Sequence, residues 1–404
     1  MSTTRRDSTE ENEPVGSGLP AEFERALKRW LRSGNGTAMR RILGRELDEQ
    51  GIPRRWPVEV WRQAVLALNE AQVRCPTPWP EGLDTMIDRL ALADRRWRLP
   101  NGASAFEMGN PRLDVLRPPG GPGRRPLGPS TSHVCPDRPL AVLRSEANRR
   151  GDMLALDHRD RARPCGLALV GSGVPWIGPS WPLETEPGLR SASNILTHRI
   201  EPRAELVEWS FRLPEARVTR SALWLKGRQL ALLAEQIDSR NALGAREIRL
   251  PIAPGISAEV QAEGRMARLS AGSGAVARVL PLALPCEPVA IDPGTLGVEE
   301  GFLRLRQRPE GRRCWLPLLF CWGSSRRRRS VHWRILTVSE RSRVCPPEVA
   351  FAVRVNWGGA DHYVIYRSLA KPGLRAFLGH QTEARFLVGL FRKDGSIEPL
   401  LRVD

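Results

Sequence analysis

Tyrosine occurs twice in this 404-residue chain, and the two copies lie near two histidines. Asp361-His362-Tyr363 is followed by Tyr366-Arg367, and His380 comes soon after in Leu378-Gly-His-Gln381. Tyr, His and Arg together are the groups that β-elimination of a uronic-acid polysaccharide would use. One group abstracts the C5 proton, another protonates the leaving oxygen, and cations neutralise the carboxylate. His158 is a further candidate base. It sits in Asp157-His-Arg-Asp160, after the strand-like Met153-Leu-Ala-Leu156. Neighbours on a strand point to opposite faces, so Asp157 does not automatically reach His158, whereas Asp160 would share its face. The competing readings are structural: tyrosines at a sheet rim, and a polar strand end satisfied by local hydrogen bonds.

Three further groups suggest binding rather than catalysis. Arg159 could anchor an acidic sugar, and Arg367 could do the same beside Tyr366. Trp176 and Trp181 stand five residues apart in Gly171-Ser-Gly-Val-Pro-Trp-Ile-Gly-Pro-Ser-Trp181. Exposed indoles stack on sugar rings, and Gly lets a ligand come close to the backbone; packed inward, the same residues serve only a core. The loop has neither the Lys nor the strand-to-helix context of a phosphate-binding loop. Arg326, Arg327, Arg328 and Arg329 form an unbroken run between the apolar Trp315–Trp322 and Val331–Val338. Such a loop can hold carboxylate, sulfate or phosphate groups bidentately, or can be a solvated hairpin tip.

Other chemistries are excluded by what the sequence lacks. No Gly-x-Ser-x-Gly elbow, His-Glu-x-x-His helix or standout carboxylate pair is present. The seven cysteines are scattered without a Cys-x-x-Cys pair or zinc-finger spacing, so neither a metal site nor a cofactor is expected. Without an export signal, reduced thiols point to a cytoplasmic location. The longest apolar run, Trp315–Trp322, is far short of the roughly 20 residues of a spanning helix.

Net charge is +17, but only four of the 62 basic residues are lysines, a bias that a GC-rich coding sequence produces. The charge is also uneven. Residues 1–100 hold 17 basic and 15 acidic groups, whereas residues 301–404 hold 20 and 8. A local anion-attracting field in the last quarter fits this pattern better than nucleic-acid binding, for which no recognition helix or aromatic stacking platform accompanies the arginines.

The elements that must position these groups change character along the chain. Residues 1–18 are polar and read as a disordered leader. Residues 19–99 show apolar spacing of three and four: Phe23, Leu27, Trp30 and Leu31, then Met39, Ile42, Leu43 and Leu47, with further helices from Pro57 and Leu83. This predicts a small all-α helical unit, anchored by Trp30, Trp56, Trp61 and Trp97. In residues 100–139, 15 of 40 residues are Pro or Gly, which predicts a linker. Residues 140–404 then turn to a period of two. Strands are predicted over 207–213, 218–225, 228–237, 246–252, 258–262, 265–270, 275–282, 349–356, 362–368, 385–391 and 396–403, with an Asp-Gly turn at 394–395. The expected class is mainly β, a large antiparallel β-sandwich of supersandwich type.

The order of elements resembles the β-sandwich of heparinase II/III-like polysaccharide lyases. Asp157-His-Arg leads to Leu167-Ala-Leu-Val-Gly-Ser-Gly173, a Trp-bearing loop, and the strand pair Ala216–Leu225 and Arg228–Asp238. The resemblance implies a sandwich fold and an acidic polysaccharide as ligand. The family's His-Gly-His-Ala-Asp segment, which helps hold a metal and the polysaccharide, has no counterpart. Its large helical toroid is replaced by the short unit upstream. The expected function is therefore non-catalytic binding of an acidic glycan or other anionic polymer. The alternatives are residual lyase activity through Tyr363, Tyr366, His362 or His380, and a scaffold whose helical unit docks to another protein.

Overall fold

Apolar residues three and four positions apart build the first helices of the computed structural model. The structure describes residues 19–74, 80–98, 105–106, 132–135, 138–145, 152–159, 164–182, 194–261, 265–287, 289, 293–358, 362–371 and 373–404. The leader, most of the Pro/Gly segment, Asp160 and Asp361 lie outside these. The chain divides into two compact units, Met1–Arg95 and Arg96–Asp404.

The first unit is helical. Helix α1 (Ala21–Ser33) buries Phe23, Ala26 and Trp30, and stops at Gly34. Gly34 takes the left-handed conformation (φ 69°), and its N–H closes onto the Trp30 carbonyl, as a helix C-terminus requires. Helix α2 (Thr37–Glu46) buries Met39, Ile42 and Leu43. Helix α3 (Val58–Arg74) carries Trp61, whose indole N–H donates to the Trp56 carbonyl at 2.9 Å. Helix α4 (Leu83–Arg96) buries Leu83, Ile87 and Leu90. Trp30, Trp56 and Trp61 are all buried. Large apolar side chains left exposed on this unit are Leu31, Leu66 and Val73.

The second unit is antiparallel β. Its centre is an eight-stranded sheet in the order Ile256–Gln261, Met266–Ala271, Val276–Pro281, Arg313–Cys321, Leu230–Ser239, Ala216–Leu225, Ala204–Arg212 and Asn194–Ile200. Both faces of this sheet are covered. Leu206, Leu223, Leu232 and Leu319 pack on Val353, Ile365 and Val388. These belong to a five-stranded sheet in the order His332–Leu336, Ala350–Asn356, His362–Ser368, Phe386–Phe391 and Ile397–Val403. On the other face, Val207, Ala222, Leu233 and Leu318 meet Leu154, Leu156, Leu167 and Leu169 of a six-stranded sheet over residues 133–181. Ile248, Leu250, Leu303 and Leu305 of a three-stranded sheet join the same core. A strand buried on both faces reads as a continuous apolar run, which is why Trp315–Trp322 shows no alternation.

The outer face of the five-stranded sheet carries a second, smaller cover. Ala352, Val364, Tyr366 and Leu387 pack against Phe377 of a four-stranded sheet, with Val338 in the same cluster. The sandwich thus begins at His133–Val134, inside the segment expected to be linker. Strands 194–200, 294–299 and 302–307 were not predicted from the alternation; each lies in a region of mixed exposure.

Candidate anion-binding site

Alternation along His362–Ser368 separates the two tyrosines. Tyr363, Ile365 and Arg367 face the eight-stranded sheet, whereas His362, Val364 and Tyr366 take the outer face. Tyr363 meets Arg326, whose Nη2 donates to its hydroxyl at 3.2 Å. The same guanidinium lies 5.4 Å over the Trp357 ring and donates Nη1 to the Arg228 carbonyl at 2.6 Å. Tyr366 stacks on Phe377 (5.0 Å, 15°), and Phe377 in turn meets His380 at 5.7 Å. The Tyr366 hydroxyl accepts from Arg375 Nη1 at 3.3 Å. Burial raises the Tyr366 phenol, against the opposing Arg375 charge, so the neutral form is held at neutral pH. Burial, with Arg402 adding to it, lowers the His380 imidazole. Tyr366 and His380 both contact the Phe377 ring, and Tyr363 stands on the opposite side of the sheet.

Several residues expected to face a ligand face the protein instead. Arg367 is buried, with Nη1 2.5 Å from Glu208 Oε1 and Nε 2.9 Å from Gln236 Oε1. It neutralises an internal carboxylate and offers nothing to solvent. Arg159 makes a two-pronged contact with Asp157, Nε to Oδ1 at 2.9 Å and Nη2 to Oδ2 at 2.8 Å. This pairing claims the carboxylate that might have oriented His158. His158 is buried edge-on to Phe211 at 5.3 Å. Burial first, and the Arg220 charge second, push its imidazole down to about 4 against the pull of Asp157, so it is neutral at physiological pH.

Trp176 and Trp181 are fully buried, which leaves no indole face open to a sugar. The close approach that Gly171 permits is taken by the protein itself. A Cβ there would stand 2.5 Å from the Trp322 ring. A buried cation behind Trp181, Arg220, was not singled out from the sequence. It donates to Glu235 Oε1 (2.8 Å) and to the carbonyls of Trp181 (2.7 Å) and Pro182 (2.9 Å), under the Trp181 ring at 4.7 Å. The run Val-Thr-Arg-Ser-Ala gives no local signal for this, because all three partners lie at least 15 residues away in the chain.

The arginine run divides in the same way. Arg326 turns inward, and Arg327, Arg328 and Arg329 remain exposed. Their backbone is clamped from below by Arg278, which donates to the Arg327 carbonyl and, at 2.6 Å, to the Arg329 carbonyl. Arg327 Nη1 ties back to the Gly274 carbonyl at 3.1 Å. Among the described residues, no carboxylate pairs with Arg327, Arg328 or Arg329. A loop with a fixed backbone and unneutralised guanidinium groups is suited to hold an anion.

No protein-family model matches the sequence. No curated protein matches it either. Solved structures do match the fold. A heparan sulfate lyase from Pedobacter heparinus, in a mutant form, superposes with a TM-score of 0.59 at 10% identity, over 86% of this chain and 65% of that one. A heparinase III structure gives a TM-score of 0.60 at 10% identity, over 88% and 68%. The likeness is one of fold. The chain spans about two thirds of the length of these lyases. Among the described residues no three His, Cys, Asp or Glu side chains converge to hold a metal ion. Among the described residues no helix is long and apolar enough to cross a membrane.

Proposed function

We propose that this protein binds an acidic polysaccharide through the arginines of its β-sandwich, without cleaving it. The observation that carries this reading is the exposed trio Arg327–Arg329, held by Arg278 and lacking a carboxylate partner among the described residues. The fold likeness to heparan sulfate lyase and heparinase III structures supports a carboxylated or sulfated glycan as the ligand class. Between exposed groups such contacts are screened over about 10 Å at 0.1 M salt, so the association is weak and salt-sensitive.

The test is retention on immobilised heparin and on an alginate-type polymer across a salt gradient. Binding at low salt that fades as salt rises is the expected result; no retention at low salt overturns the reading. Duplex DNA at matched charge serves as competitor, and displacement by it as readily as by soluble heparin would point to unspecific polyanion binding. The ring cluster of Tyr366, Phe377 and His380 favours the second reading, residual lyase activity. Absorbance of an unsaturated uronate product decides it, with Tyr366→Phe as control: signal in the parent protein that the variant loses would establish cleavage.

A further inference from the structure

A second cationic site lies on the outer face of the five-stranded sheet. Arg334 and Arg354 are direct cross-strand partners in the antiparallel pair His332–Leu336 and Ala350–Asn356. Like charges placed opposite each other repel, and a fold normally separates or neutralises them. Here neither has a carboxylate partner among the described residues. Arg354 is instead steadied by the Phe391 ring, 5.4 Å below its guanidinium. The pair opens onto a groove of about 330 Å³ lined by Arg334, Ile335, Leu336, Thr337, Arg354 and Leu378.

The far wall of that groove shows a second irregularity. Leu378 sits with Gly379 at the tip of a two-residue hairpin between Arg375–Phe377 and His380–Thr382. Both tip residues have positive φ, 48° at Leu378 and 75° at Gly379. A turn of this kind favours Asn, Asp or Gly at its first position, and Leu there is strained. The Leu378 side chain is also more than a third exposed, as is that of Ile335. An apolar residue kept in an unfavourable conformation and in water contributes little to the core, and backbone strain of this kind gathers at binding sites.

We infer that the Arg334–Arg354 pair and the Leu378 wall form a subsite for one anionic sugar residue, its carboxylate or sulfate on the two guanidinium groups and its ring on Leu378. The subsite rests on the polysaccharide-binding reading and gives it a specific place. Two arginine forks present several parallel donors to a single oxyanion, and Thr337 can meet a sugar hydroxyl. The volume matches one or two sugar units rather than a polymer cross-section.

Isothermal titration with a heparin-derived tetrasaccharide, with maltotetraose as the uncharged probe, tests the subsite on the full chain. One charged tetrasaccharide binds per protein, and maltotetraose does not. Arg334→Ala and Arg354→Ala each weaken binding by about tenfold or more. Arg334→Lys and Arg354→Lys, which keep the charge but lose the planar fork, weaken it by about threefold and carry the test if an alanine variant fails to fold. Leu378→Asn relieves the turn and raises the unfolding midpoint while lowering affinity, an opposition that a merely structural residue would not produce. Folded variants that all bind within twofold of the parent overturn the subsite, as does equal binding of maltotetraose. Retention on heparin without tetrasaccharide binding overturns the subsite and leaves the polymer reading standing; loss of both overturns both.

Discussion

Arg220 and Glu235 form an ion pair inside the central sheet, Nε to Oε1 at 2.8 Å, with the arginine fully buried. They are cross-strand partners, Arg220 on Ala216–Leu225 and Glu235 on Leu230–Ser239. A strand buried on both faces has nowhere to send a charge, so the pair must satisfy itself within the layer. Arg220 completes its bonding on the carbonyls of Trp181 and Pro182, which ties the six-stranded sheet to the central one. Removing one partner leaves the other charge stranded. Arg220→Met is expected to cost about 3–5 kcal/mol in urea unfolding, and Arg220→Met with Glu235→Leu to recover much of that loss. A single variant as stable as the parent would show that the pair carries no such weight.

His158 makes the sandwich acid-sensitive. Its folded imidazole lies at about 4, below the ordinary 6.5, because burial and Arg220 disfavour the charged form. The unfolded chain therefore takes up this proton at higher pH than the folded one. The contribution is fully present above the unfolded value and is lost as pH falls from there through the folded value, about 3 kcal/mol in all. His158→Gln removes the titration. Unfolding free energy measured at pH 7 and pH 4 is expected to fall less in the variant, by about that amount. Equal losses in the two proteins would place the imidazole in contact with water.

Arg367 and the Arg328–Arg329 tip should separate stability from binding. Burial alone would raise the Glu208 carboxyl, but the Arg367 and Arg385 charges and the Ser221 hydroxyl outweigh it and hold it below the ordinary carboxylate value. That stabilisation is present above the unfolded carboxylate value and is lost as pH falls through the depressed folded one. Arg367→Met should destabilise by about 3 kcal/mol and leave the salt needed for elution from heparin unchanged. Arg328→Ala with Arg329→Ala should do the reverse, lowering the elution salt with a stability change within about 0.5 kcal/mol. Reduced heparin retention by folded Arg367→Met would return that residue to the ligand surface.

The elements were legible where apolar and polar residues keep a regular period, and the site residues were not. Val207, Trp209, Phe211 and Leu213 announce a strand by alternation, and Phe23, Trp30 and the Gly34 stop announce α1. Inside the central sheet the local pattern shows the strand but not the partners of its polar groups. Glu208 and Arg367 are 159 residues apart and meet only because two sheets stack, so nothing near Arg367 distinguishes a buried counter-ion from a ligand contact. Arg326 and Arg328 are equally anonymous within one run. Only the turn at Gly323 sends the first beneath Trp357 and the other to solvent. The hairpin joining Gly294–Glu299 to Phe302–Gln307 escaped notice because Glu300-Gly301 performs the positive-φ turn without the Asn or Asp that usually signals it.

Gly171 shows how a loop glycine can answer to packing instead of to a ligand. A Cβ at this position would lie 2.5–2.6 Å from three carbons of the Trp322 ring. That indole cannot readily swing away. Its N–H donates to Asp152 Oδ1 at 3.2 Å, and its ring lies 5.4 Å from that of Trp224. Asp152 is itself engaged, accepting the Ser172 N–H at 2.5 Å. One methyl group would thus push on the strand Cys165–Gly171, on the last residue before the arginine loop, and on the carboxylate that holds both. Gly171→Ala is expected to cost about 1–3 kcal/mol in urea unfolding, the ordinary range for an overfilled core. Trp322→Leu removes the obstacle, so adding Gly171→Ala to Trp322→Leu should cost clearly less than it does in the parent protein. Equal costs in the two backgrounds would mean that the indole does not occupy the space beside Gly171.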